Sequence, residues 1–228
     1  MSATVRENIL AAIRLANRRY LQDVLQRNVP ERHDGITALF ERHMVSIADY
    51  CMDSYGGAGS LTTEFIRGLH KMLFPEGYTY RQEVDGKLRE LVPGEYRDRV
   101  GCVDSELQPG AVVTFAPPEE VSAAMEAAVE RLNAALSAAK DSKAKRDAIL
   151  WYIFDFSVIH PFGDANGRVM LMVCDLLLIK EGLLPLHIAV IKEQHRGDLY
   201  RAGEQAQRNR DLTPLYEVIE RYNPAALA

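Results

Sequence analysis

Little in this chain points to metal scaffolds, disulfides or membranes. Its three cysteines, Cys51, Cys102 and Cys174, show neither metal-ligand spacing nor a disulfide framework, so ordinary reduced thiols are expected. Basic residues are not in excess: 27 Lys and Arg stand against 32 Asp and Glu, a net charge of -5. That argues against a general nucleic-acid binder, whose phosphate contacts need concentrated Lys and Arg, while leaving room for a local basic patch. No apolar run approaches the roughly 18 residues that span a bilayer, so no membrane partner is expected. The first residues, Met1-Ser-Ala-Thr-Val-Arg-Glu-Asn8, lack a basic stretch followed by an apolar one. No signal peptide is expected, and the cytoplasm is the expected compartment; export by a signal-independent route would leave the same features. Internal repeats, low-complexity tracts and an interdomain linker are also missing.

What is present is an ordinary globular composition. Across 228 residues, 47% are hydrophobic and 26% charged, enough for one domain with a small extension. Helical periodicity dominates. Val5, Ile9, Ile13, Ala16, Tyr20 and Val24 recur at three- or four-residue spacing, with Pro30 and Gly35 expected to end that helix. A second helix is expected over Ile36 to Met52, closed by Tyr55-Gly56-Gly57, and a third over Leu61 to Leu73 with Ser60 as N-cap. Tyr78 to Val92 reads as a hairpin turning at Asp85-Gly86, and Arg99 to Phe115 again reads as extended. Helices resume after Pro117-Pro118, run to about Ala139, and restart near Ser142 to stop near Val158. Gly167 to Ile179 is apolar on nearly every side, the pattern of a helix at the centre of a fold. Two more are expected over Lys192 to Arg208 and Pro214 to Arg221.

Between the last helix before Val158 and the apolar helix lies His160-Pro-Phe-Gly-Asp-Ala-Asn-Gly-Arg168. Taken singly, its residues have plain readings: a histidine before proline is commonly surface or core, and Asp-Ala-Asn-Gly a turn or cap. Phe162 reads as a core anchor in any case. Taken together they supply chemistry. The first amides of a helix lack intrahelical partners and carry partial positive charge, a ready anion site. Gly163, Ala165 and Gly167 let phosphate oxygens approach the backbone. Asn166 can donate from its side chain, and Arg168 offers a planar fork. Asp164 is a hard oxygen ligand suited to Mg²⁺ held mainly by phosphates. His160 can take a proton from an attacking hydroxyl near neutral pH.

The string resembles the Fic (Fic/Doc) family motif, His-x-Phe-x-Asp/Glu-Gly/Ala-Asn-Gly/Lys-Arg, often followed by x-x-Arg. Leu69-His70-Lys-Met-Leu-Phe74, Pro93-Gly-Glu-Tyr-Arg97 and Phe115-Ala-Pro-Pro118 are similar to segments family members carry in the same places. The resemblance implies a mainly α, Fic-type helical bundle with a small β-hairpin flap. Residues 1–35 would form an N-terminal helix, and 36–222 the Fic domain with its flap at about 99–115. It further implies ATP as co-substrate with Mg²⁺ on Asp164, phosphates held by Gly163, Ala165, Asn166, Gly167 and Arg168, and His160 as base. AMP would pass to a Ser, Thr or Tyr hydroxyl of a protein substrate docked on the flap by strand addition.

Two departures bear on that expectation. The family's second arginine falls at Leu171, which removes one phosphate contact. The inhibitory Ser/Thr-x-x-x-Glu-Gly/Asn motif is also missing, since Glu64 is followed by Phe65 and Glu217 by Val218. Self-inhibition by a glutamate is therefore not expected, and control would fall to a separate inhibitory partner if there is any. Ala165 and Leu171 match the Doc branch, which resembles a protein kinase, but that branch has Lys where this chain has Gly167. The alternatives left open are Doc-like phosphorylation, transfer of UMP or phosphocholine, and a catalytically inactive nucleotide-binding regulator.

Overall fold

A computed structural model describes residues 3–27, 33–55, 59–74, 81–84, 87–105, 108 and 110–223, with backbone alone at 3, 22–27, 33–36, 55, 81–84 and 87–90. The architecture is mainly helical with two small antiparallel hairpins, as the sequence predicts. Helix α1 spans Ala3–Arg27 and α2 spans His33–Tyr55. The apolar stripe of α1 buries Ile9, Ala12 and Ile13 against a core that takes Phe40, Met44, Ile47 and Ala48 from α2. Gly35 lies inside α2 rather than before it, while Pro30 and Gly56-Gly57 fall outside the described residues. Helix α3, Thr63–Met72, is capped by Thr62 and not by Ser60. Thr62 is extended, and its hydroxyl accepts the Phe65 N–H at 3.1 Å, the geometry a cap requires.

The first hairpin pairs β1, Arg81–Val84, with β2, Lys87–Glu90, in the register Val84 opposite Lys87. Its expected turn, Asp85-Gly86, lies outside the described residues. The flap pairs β3, Cys102–Asp104, with β4, Val112–Thr114, Val103 opposite Val113. A 3-10 turn, Pro118–Glu120, leads into α4, Val121–Ala138. Helix α5, Ser142–Ile159, starts on Asp141, whose carboxylate accepts the Ala144 N–H at 2.8 Å.

Helix α6, Asn166–Lys180, is the central element. Val169, Leu171, Met172, Val173, Cys174, Leu176, Leu177 and Leu178 are all buried, and the helix packs against α1, α3 and α5. Position 171 therefore belongs to the core. The chain closes with α7, Ile188–Gln194, α8, Arg196–Asn209, and α9, Thr213–Tyr222. The single helix expected over 192–208 is thus two. The His195 backbone leaves helical geometry (φ −135°, ψ 42°) while its ring stacks on Tyr222 at 3.6 Å. That tertiary contact fixes a corner which apolar periodicity does not encode. No helix among the described residues is long and apolar enough to cross a membrane.

Candidate active site

The loop begins where α5 stops. His160 closes that helix in the left-handed region (φ 48°, ψ 61°), and its N–H still reaches the Phe156 carbonyl at 2.8 Å. Ala165 adopts the same region (φ 60°) at the entry to α6. Left-handed backbone costs an L-residue with a Cβ roughly 1–2 kcal/mol, so the surrounding contacts must hold both corners.

Those contacts are visible. The Phe162 ring is fully buried and stacks on His70 at 3.9 Å, with Tyr96 and Phe156 around it. Asn166 is buried, and its side chain closes the loop on itself. Its Oδ1 accepts the Phe162 N–H at 2.9 Å, and its Nδ2 donates to the Phe162 carbonyl at 2.7 Å. The backbone fold of the loop therefore depends on Asn166. His70 braces the loop from below. The Gly94 N–H donates to His70 Nδ1 at 2.8 Å, which places the ring proton on Nε2, facing the Asp164 carbonyl at 3.3 Å.

Arg97 joins the loop to the flap. Its Nε donates to the His160 carbonyl at 2.7 Å and its Nη2 to the Ile159 carbonyl at 3.0 Å. The same guanidinium donates to the carbonyls of Arg99 and Ala116, one at each end of the flap. The Arg97 N–H completes the joint at the Pro161 carbonyl, 2.8 Å away. The flap then lays Phe115 flat on the His160 imidazole, centroids 3.8 Å apart and planes 3° apart. Gly101 lets Phe115 come that close, since a Cβ there would lie 3.0 Å from the Phe115 ring.

This packing sets the charge of His160. Burial, then the Arg97 guanidinium, push the His160 imidazole down to about 4, with Lys192 adding to the effect and Asp164 opposing it. His160 is neutral near pH 7 and can accept a proton. Burial pushes His70 down to about 4 as well, so it braces the loop as an uncharged ring.

Around the entry to α6 the charge is positive. The Arg168 guanidinium lies 3.8 Å above the Tyr20 ring of α1 and 3.9 Å from the Asp164 carboxylate. A Cβ built on Gly163 would lie 3.6 Å from the Arg99 guanidinium, and one on Gly167 only 2.7 Å from the Lys192 ammonium. Space beside Gly167 is thus faced by a lysine from α7 rather than left open. The structure brings His160, Gly163, Asp164, Ala165, Asn166, Gly167 and Arg168 into one loop and adds Arg97, Arg99, Phe115, Lys192 and Tyr20 around it. Two of these, Arg97 and Phe115, carry a sequence signal, since each sits in a short segment flanking the flap; Lys192 and Tyr20 carry none. Among the described residues no three metal-ligating side chains cluster. Asp164, a third of its side chain exposed, is the loop's one carboxylate. A lone hard oxygen ligand beside an anion site fits Mg²⁺ carried chiefly by phosphates.

The Fic/DOC family model matches residues 60–178. No curated protein matches the chain significantly. Among solved structures, a Fic-domain-containing signaling protein from Bacteroides thetaiotaomicron aligns over 88% of this chain and 70% of its own, with 20% identity and a TM-score of 0.61. A Fic family protein from Desulfovibrio desulfuricans aligns over 96% of this chain and 63% of its own, with 19% identity and a TM-score of 0.56. These two likenesses concern the fold. The matched span of the family model covers the flap, the loop and α6, and on that ground the chain belongs to the Fic/DOC family, whose members are generally transferases.

Proposed function

We infer that this protein is an adenylyltransferase that moves AMP from ATP onto a Ser, Thr or Tyr hydroxyl of another protein. The observation that carries this reading is the pairing, in one loop, of a neutral His160 with a cationic helix entry. ATP is held at the N-terminus of α6 by backbone amides and Arg168. Asp164 would hold Mg²⁺, which would neutralise phosphate charge and orient the chain. The target hydroxyl gives its proton to His160, and its oxygen forms a bond to the α-phosphorus. The bond from that phosphorus to the pyrophosphate oxygen breaks, and pyrophosphate leaves with the electron pair. Arg168 stabilises that departing charge.

The flap suits a docked segment. Val103, Val112 and Val113 are exposed on two three-residue strands, and Val100 is exposed just before the first. An extended target peptide adding to that edge brings its hydroxyl toward His160, because Phe115 ends the flap on that ring.

A second reading is phosphorylation. Gly167 lets phosphate oxygens approach the backbone, and the Lys192 ammonium beside it narrows the space there. Intact-mass analysis after incubation with ATP and Mg²⁺, with a protein extract supplying acceptors, separates the two. The expected product carries an adenylyl group; products carrying only a phosphate would sink the AMP reading.

A further inference from the structure

We propose that Lys192 is a phosphate-contacting residue that makes the site selective for nucleotides with a long phosphate chain. The inference rests on nucleotide binding at the His160–Arg168 loop and holds whichever group is transferred.

Lys192 reaches the site from outside the motif. It sits on α7, and its Nζ would lie 2.7 Å from a Cβ on Gly167, in the first turn of α6. Its position is built into the fold. Asp175 of α6 is buried and accepts backbone bonds from Leu186 and His187, which ties the start of α7 to α6. Ile188 and Ile191, both buried, seat the helix, and Lys192 follows directly. The ammonium lies 5.9 Å from the Tyr200 ring, and no carboxylate among the described residues pairs with it. By contrast, Arg168, the residue after Gly167, has Asp164 within 3.9 Å. A half-buried ammonium held at a helix N-terminus repels the partial positive charge there and is stabilised when an anion bridges the two.

Counting charge shows what anion suits it. Arg99, Arg168 and Lys192 face the loop, against one carboxylate, Asp164. One phosphate is satisfied by the α6 amides and Arg168. Further phosphates bring further negative charge, and Lys192 is the cation placed to meet it. Position 171, one turn along α6 from Gly167, is a buried leucine and supplies no charge.

The test is calorimetric titration of the full chain with ATP, ADP and AMP, each with Mg²⁺, for the unmodified protein, Lys192→Gln and Lys192→Arg. Lys140→Gln, on an exposed lysine far along the chain, controls for net charge. Lys192→Gln is expected to weaken ATP roughly ten- to hundredfold while changing AMP less than about threefold. Lys192→Arg should restore most of the ATP affinity, and Lys140→Gln should match the unmodified protein. Melting curves check folding, and Lys192→Met, which keeps the aliphatic stem, replaces the glutamine variant if that one does not fold. Equal loss of ATP and AMP, or ATP binding unchanged in Lys192→Gln, overturns the proposal alone. Failure of the unmodified protein to bind ATP overturns the nucleotide-site reading and this inference with it.

Discussion

The proposed role of His160 as a base requires an uncharged imidazole, and its surroundings favour that state. Desolvation under Phe115 and the positive charges of Arg97 and Lys192 all disfavour the imidazolium, which places its titration near 4 rather than the usual 6.5. The His160 ring-carbon resonance in NMR is therefore expected to stay flat from about pH 8 down to about pH 5.5, moving only at lower pH. A midpoint near 6.5 would show that the ring is solvated. Asn166, too, is defined by its surroundings. Read as a letter in a phosphate-binding string, it suggests a side-chain donor. In place, both ends of its amide are engaged by the Phe162 backbone. Its side chain shapes the loop, although one amide hydrogen remains to donate.

At the scale of elements, the joint that matters is the one between loop and flap. Arg97 ties the carbonyls of Ile159 and His160 to those of Arg99 and Ala116. Arg97→Ala leaves four carbonyls without this donor, and a loss of about 2–4 kcal/mol is expected in chemical denaturation. Arg97→Lys should recover only part of it, because an ammonium lacks the planar fork that reaches both sides. Full recovery by lysine would mean that charge alone holds the joint. The sequence makes α6 legible, because an apolar run bounded by a glycine-containing loop has few other places to go. It also shows the loop, because nine consecutive residues match the motif of one family. The flap is legible as extended chain, but its strands are only three residues each. What stays hidden depends on meetings between distant segments. Lys192 reaches Gly167 only because α7 ends at a corner held by His195 on Tyr222, and Tyr20 covers Arg168 only because α1 packs along α6. Periodicity reports which face is apolar and is silent on what that face meets.

At the scale of the whole molecule, buried titratable groups link stability to pH. His70 and His160 both titrate near 4 in the fold and near 6.5 when unfolded. The unfolded chain therefore takes up their protons first, and their contribution is lost as pH falls from about 6.5 toward 4. Asp175 runs the other way: burial pushes it up to about 7, so the fold gains from its proton in the same window. Two histidines outweigh one aspartate, so stability is expected to fall by at most about 1.4 kcal/mol per pH unit below pH 6.5. Urea unfolding at about pH 7 and about pH 5 reads that slope, and equal stability at both would contradict it. On the proposed function, this loop transfers AMP with His160 as the base. The most direct measurement of this is label transfer to protein from ATP labelled at the α-phosphate and, separately, at the γ-phosphate, for the unmodified chain and for His160→Ala, in an extract that supplies acceptors. The expected result is α label alone on protein, abolished by His160→Ala. Retention of γ label alone, or α label undiminished in His160→Ala, would contradict AMP transfer by His160.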